Sequence, residues 1–299
     1  FEVKARDLAG NEDPTPARHT FTVSGLRVTI TEPSDGATVT TGLLLVRGTV
    51  EAGGAEVGVT LNNVPAAVQG TSFAALIPVT LETTSLTALA TAATGATATH
   101  TIALVVTPAA EEHVVLHASP SSGVAPLTVS FSVFGAASPI VAVELDQDGD
   151  GVVDFSGPGL EGQPFTYDRP GLYVARVTAF DAQGTRLAAS AVVEVFDQTS
   201  LDQTLSEKWT AMKDALRAGD VAKALESTAL SARDDYRDLL TALVPQLPQI
   251  DLILTDISAV SFDEDRAEYQ MIRVDGGVRL SYFVLFIRDA DGLWRLKFF

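Results

Sequence analysis

Residues Tyr167 to Gly184 read YDRPGLYVARVTAFDAQG, and this stretch decides the fold class. Pro170-Gly171 turns the chain, after which Tyr173, Ala175, Val177 and Ala179 fall at every second position. That period places them on one face of a strand. Asp181-Ala182-Gln183-Gly184 then supplies the residues of a hairpin turn. A strand bounded by two turns is the repeating unit of an antiparallel sheet, and the same pattern recurs upstream.

From Leu26 to Thr107 the text runs RVTITEPSDGATV, LLLVRGTV, AEVGVTLNNVPAAV, SFAALIPV, TSLTALATAATG and ATATHTIALVV. These make about six or seven short β-rich runs, each bounded by Gly, Pro, Asn or Asp, the signature of an antiparallel sandwich. TSLTALATAATGATATH is alanine-rich, but its β-branched threonines and its place between strands favour sheet over helix. After the short acidic linker Pro108–Glu112, VVLHASPSSGVAPLTVSFSVFG opens a further β unit that ends near Val195.

Beyond Phe196-Asp197-Gln198 the period changes from two to about 3.6. Leu205, Trp209, Met212 and Leu216 follow a helical stripe, and Gly219-Asp220 breaks and recaps the chain. Ser231 with Asp234 resembles a capping box, and Pro245 and Pro248 are expected to end the helices. Four strand-like runs follow: IDLILTDISAV, RAEYQMIRV, GVRLSYFVLFIRD and GLWRLKFF, with hairpin turns at Asp275-Gly276-Gly277 and Asp289–Gly292. Helices first and strands afterwards indicate an α+β domain, a curved sheet wrapped on helices.

Composition narrows the functional classes. A chain of 299 residues implies several domains. The net charge of −18 opposes non-specific nucleic-acid binding and docking on anionic membranes, and no Lys or Arg occurs between Arg47 and Arg169. The absence of cysteine removes disulfides, thiolate metal sites and cysteine nucleophiles together. No apolar run reaches the roughly 18 residues of a membrane span, so no direct membrane insertion is expected of this segment.

Several stretches resemble known families. The I-T-x-P-x-x-G-A-T-V opening followed by V-R-G-T-V is similar to bacterial immunoglobulin-like modules. ASPSSGVAPLTVSF (Ala118–Phe131), an aspartate-rich loop and the Tyr167–Gly184 stretch together resemble the polycystic-kidney-disease (PKD) type β-sandwich. The closing DADGLWRL and the element order resemble the SnoaL-like, nuclear-transport-factor-like cone. FEVKA and HTFTV, joined by AGNEDPTP, resemble the last strands of another Ig-like domain; a free hairpin docked on its neighbour is the alternative. The expected organisation is multidomain. It comprises a truncated Ig-like tail (1–25), an Ig-like sandwich (26–108), a PKD-like sandwich (113–196) and an α+β SnoaL-like domain (200–299).

Chemistry concentrates in one loop, ELDQDGDGVVD, Glu144 to Asp154. Calcium takes about 6–8 oxygen ligands, and a D-x-D-x-D-G loop offers them at alternate positions. Numbering from Asp146 puts Asp148 third, Asp150 fifth, Val152 seventh through its carbonyl and Asp154 ninth. The twelfth position, a glutamate in helical calcium hands, is Gly157, and the setting between strands excludes a helix-loop-helix hand. Glu161 or Asp168 could complete the shell from nearby. A solvated Asp-Gly turn without metal is the other reading. A calcium ion held here would be structural.

Catalytic signals are weak. His19, His100, His113 and His117 all lie in the β-rich half, and the His113/His117 spacing lacks an HExxH pattern. No G-x-S-x-G elbow or Walker loop occurs. In the last domain Asp234, Asp235, Tyr236, Tyr269, Tyr282 and Trp294 are the polar or aromatic candidates, with packing the expected role of the aromatics. A plug of Trp209, Phe283 and Trp294 would close the cone to ligands.

The favoured expectation is a non-catalytic segment of a secreted or cell-surface bacterial protein. It would act as spacer, adhesion surface or assembly scaffold, with other copies, surface proteins or polysaccharide as partners. The alternatives are an accessory region of a secreted hydrolase and a small-ligand binder or enzyme in the cone.

Overall fold

The computed structural model describes residues 25–109, 113–136 and 138–299, together with two short strands, Glu2–Val3 and Ala17–Arg18. These two strands pair antiparallel, Glu2 opposite Arg18. The expected Ig-like tail otherwise lies outside the described residues.

The chain is mostly β, with one helical segment. The first sandwich packs two sheets. One orders Arg27–Glu32, Gly42–Glu51, Ser72–Val79 and Ala67–Gln69; the other orders Ala37–Thr40, Thr97–Thr107, Ser85–Ala92, Val57–Leu61 and Val64–Pro65. Ser85–Ala92 is sheet despite its alanines: Leu86, Ala88 and Ala90 alternate inwards and are fully buried. Gly48 faces Phe73 across the first sheet, and a β-carbon there would sit 2.2 Å from both the Phe73 ring and the Thr29 carbonyl. Glycine thus makes room for the largest side chain of this core, whose burial contributes about 2–3 kcal/mol.

The second sandwich repeats the plan. Val115–Ser119, Leu127–Phe134 and Pro164–Tyr167 form one sheet. Ser122–Val124, Arg186–Phe196, Gly171–Asp181, Ile140–Asp146 and Phe155–Gly157 form the other. In both sandwiches the opening segment divides between the sheets and its second half runs parallel to the last strand: Ala37–Thr40 beside Leu104–Thr107, and Ser122–Val124 beside Glu194–Phe196. In the strand Gly171–Asp181, Ala175, Val177 and Ala179 are buried and Tyr173 half-buried, as the alternation requires. Gly184, at φ 82°, closes the expected turn while Asp181 Oδ1 accepts the amides of Gln183 and Thr185.

The C-terminal unit begins at Asp197, whose carboxylate caps the helix Gln198–Arg217 by accepting the Ser200 amide. Leu205, Trp209, Met212 and Leu216 form its buried stripe. Gly219, at φ 77°, ends this helix, and Asp220 caps the turn Val221–Ala224. Four antiparallel strands follow in sequence order: Ile257–Asp263, Arg266–Asp275, Val278–Arg288 and Trp294–Phe298. Gly276 and Gly277 both take positive φ, as a tight two-residue hairpin demands.

Two local expectations are corrected. The capping box does not form: the helix Arg233–Ala242 has Ala232 at its N-cap, Ser231 accepts from Lys297, and Asp234 pairs with Arg237 one turn on. Ile250–Ile253 is a helical turn, following the 3-10 stretch Val244–Gln249 that contains both prolines. Ile250 and Leu254, four positions apart, both enter the core while Leu252 between them stays exposed, which a helical turn allows and an alternating strand does not, and Asp251 binds the Arg217 guanidinium through two hydrogen bonds. Phe283 is 47% exposed, because its neighbours Val284 and Phe286 take the inward positions.

Candidate functional site

The aspartate loop joins Ile140–Asp146 to Phe155–Gly157, with Leu145 opposite Phe155. Gly149 and Gly151 turn it at φ 79° and 92°. A β-carbon on Gly149 would lie 2.5 Å from the Val174 carbonyl, so the loop is laid down on the neighbouring strand. Asp146 is buried; its Oδ1 accepts the Gly149 amide at 2.7 Å and its Oδ2 the Gly151 amide at 2.9 Å. Asp148 accepts the Asp150 amide, Asp150 the Val152 amide, and Asp154 the Gln147 amide at 2.7 Å. The Tyr167 hydroxyl donates to the Gln147 carbonyl at 2.8 Å. Burial pushes that phenol up, and the charges of Asp148 and Asp154 push it further.

Oxygens of Asp146, Asp148 and Asp154 lie within 4.8 Å of one another. Ligands about 2.3–2.6 Å from a calcium ion cannot stand more than about 5 Å apart, so the spacing fits one shared ion. The donor set is also right: hard carboxylate oxygens, each keeping a free lone pair after accepting one amide. Asp150, Glu161 and Asp168 stand outside this group, and Gly157 is a strand residue opposite Val143 rather than a loop terminus. Val152 has its side chain exposed. Three carboxylates this close repel by about 1 kcal/mol per pair even in water-like surroundings. Backbone amides offset part of that; a divalent cation would offset the rest.

The C-terminal candidates are packing residues. Tyr269 is fully buried, and its hydroxyl donates to Asp202 at 2.8 Å; burial and that carboxylate both raise its pKa. Tyr236 stacks on Phe299 at 4.5 Å, and its phenol is pushed up chiefly by burial. Trp209 donates to the Thr255 carbonyl, and Trp294 packs edge-on to Phe196. Tyr282 joins Arg273 and Asp275. Trp209, Tyr269, Phe286, Trp294 and Leu296 thus fill the space between helices and sheet, without Phe283. Asp235 is exposed, as are His113 and His117, while His100 accepts the Ile30 amide and His19 lies outside the described residues.

One constellation escaped the sequence reading. Glu194, on the second sandwich, is 1% exposed and accepts from Arg288 of the C-terminal sheet and from the Val68 amide of the first sandwich at 2.9 Å. Arg288 also donates to the Ala66 carbonyl at 3.0 Å, and Gln69 to the Val195 carbonyl at 2.8 Å. One charge pair therefore joins all three units. Burial raises the Glu194 carboxyl, opposed by Arg288. Beside it Glu56 accepts the Trp294 amide and pairs with Lys208, and Gly58 meets the Asp291-Gly292 turn backbone to backbone. A lone glutamate within the apolar run AVVEVF was the available signal.

No protein-family model matches the chain, and no curated protein matches it in sequence. Among solved structures it is similar to fibronectin(III)-like modules of Clostridium thermocellum CbhA, at 20% identity over 57% of this chain and 94% of that one, TM-score 0.23. It is also similar to a modular endo-β-1,4-mannanase from Cellulomonas fimi, at 29% identity over 27% of this chain and 18% of that one, TM-score 0.22. A third is a putative membrane-anchored protein from Corynebacterium diphtheriae, at 13% identity over 66% and 57%, TM-score 0.25. Likenesses at these TM-scores carry no argument about function.

Proposed function

We propose that this chain is a non-catalytic scaffold segment of a secreted or cell-surface bacterial protein, built to hold three units in one fixed arrangement. The observation that carries this reading is the buried Glu194–Arg288 pair, which binds backbone groups of the first sandwich from both sides of a three-way junction. Removing either charge alone would strand the other in a buried interface, so the geometry favours rigidity over a string of independent beads. The second sandwich is read as PKD-type and the C-terminal unit as SnoaL-like in element order, with an interior given over to packing. The aspartate loop is read as a structural calcium site that stiffens the second sandwich. Location outside the cell is supported by the acidic composition and the sandwich modules. No helix of the described residues is long and apolar enough to cross a membrane.

Small-angle scattering tests the scaffold reading. The profile of the intact chain should match one compact particle and stay unchanged between low and moderate salt. A profile that requires an ensemble of extended arrangements would overturn it.

A further inference from the structure

The parallel pairing of opening segment and last strand, found in both sandwiches, has a mechanical consequence. In the first, Ala37–Thr40 runs beside Leu104–Thr107; in the second, Ser122–Val124 runs beside Glu194–Phe196. In a parallel pair the chain enters one strand and leaves the other at opposite ends. A pull on the chain ahead of the opening segment and behind the last strand therefore drags the two past each other. The evenly spaced bonds of a parallel ladder then share the load. An antiparallel pair in the same place would be pulled from one end and would part bond by bond.

Both pairs are braced beyond their ladders. In the first, the Gly36 amide donates to the Ala103 carbonyl at 3.0 Å and the Thr41 amide to the Thr107 carbonyl at 2.9 Å. Asp35 Oδ1 accepts the Ala103 amide at 2.8 Å, and Thr41 Oγ1 accepts the Ala109 amide at 2.9 Å. The first pair is thus bonded from Asp35 to Thr41 along one strand and from Ala103 to Ala109 along the other. In the second, the Glu194 amide donates to the Ser121 carbonyl and the Ala125 amide to the Phe196 carbonyl, both at 3.0 Å. Val124 packs against the C-terminal core, and the Glu194 side chain holds the junction, so sliding this pair also draws both from other units. We propose that the two sandwiches carry tension, each closed by a parallel pair that resists sliding, so that the segment serves as a tether under mechanical load. This deepens the scaffold reading and rests on it for the load; the resistance itself is tested separately.

The chain has no cysteine, so paired cysteine substitutions give unique handles for optical tweezers on the full chain. Ser34→Cys with Pro108→Cys loads the first pair at opposite ends, whereas Thr40→Cys with Pro108→Cys loads it at one end. Ser121→Cys with Gln198→Cys loads the second pair at opposite ends. All five positions are exposed, and an unchanged thermal melt confirms that each variant folds. Forced unfolding reads the unfolding rate. At one fixed force the first sandwich should survive about tenfold longer or more when its strands are made to slide than when they are unzipped. The second sandwich should match the longer lifetime. Equal lifetimes in the two geometries, or a second-sandwich lifetime as short as the unzipped one, would overturn the proposal. Either result with a compact scattering profile would remove the tether and leave the scaffold standing.

Discussion

Replacing Arg288 with Met isolates the energetics of the junction. Arg288 spans the gap from the C-terminal sheet to Glu194 and to the Ala66 carbonyl, and methionine keeps much of its aliphatic length without the charge. Glu194 would retain the Val68 amide and nothing else to balance a carboxylate that is 1% exposed. An unpaired buried charge costs about 3–5 kcal/mol. Protonating the acid instead costs about 1.4 kcal/mol for each pH unit above the ordinary carboxyl value, hence about 4 kcal/mol at pH 7 and about 1 kcal/mol at pH 5. The cheaper route sets the penalty, so the defect should be large at neutral pH and small in mild acid. The sign agrees with the direction in the intact protein, where burial already raises this carboxyl. A carboxyl raised on folding binds protons that the unfolded chain has released, so its contribution to stability falls as pH rises through that window. Hydrogen exchange of the Val68 amide reads the local opening directly. Exchange in Arg288→Met should be fast at pH 7 and return close to the parent at pH 5, after correction for intrinsic rates. Adding Glu194→Leu should remove the pH dependence. If Val68 protection is indifferent to Arg288→Met at both pH values, the junction does not hold the units together and the reasoning fails.

Three further outcomes are expected. Gly58→Ala would place a methyl 2.0 Å from the Asp291 carbonyl; the contact with the C-terminal turn should open, at about 1–3 kcal/mol, seen as a larger radius of gyration with the sandwich still folded. Calcium at about a hundredfold over its Kd should stabilise the second sandwich by about 2.7 kcal/mol in a thermal melt. Asp148→Asn should abolish most of that gain, and a melt indifferent to both calcium and chelator would leave the loop a bare turn. Tyr269→Phe removes the hydroxyl that donates to Asp202, at a cost of about 1–2 kcal/mol in denaturant midpoint; an unchanged midpoint would mean that water replaces the phenol.

How far the sequence could be read follows from the range of the interactions. Strand alternation at Tyr173–Ala179, the helical stripe from Leu205 to Leu216, and the hairpin glycines Gly276 and Gly277 are set within a few residues and were legible. The spacing placed four aspartates in one loop, but that carboxylate oxygens of Asp146, Asp148 and Asp154 come within 4.8 Å of one another while Asp150 stands outside the group depends on loop coiling that spacing cannot give. Ile250–Ile253 was misread because Ile250 and Leu254 are drawn at helical spacing into a core most of whose members lie far away in sequence. Whether Phe283 joins the core could not be read, because hydrophobicity alone does not say which face of a strand points inwards.

The junction lies beyond any local reading, since Arg288 reaches Glu194 across 94 positions and Ala66 across 222. Yet its existence follows from two simple observations taken together. Val193 and Val195 face the core of the second sandwich, so alternation sends Glu194 to the outer face of its sheet, where a glutamate should be solvated. It is 1% exposed instead. An outward-facing charge without access to water must be covered by something that also neutralises it, because a bare apolar lid would leave the carboxylate stranded. The cover is the first sandwich and the neutralising group comes from the C-terminal sheet. Thus the outward face of Glu194, taken with its 1% exposure, implies an interface and a neutralising group within it; that the cation comes from a third unit is a fact of the tertiary arrangement alone.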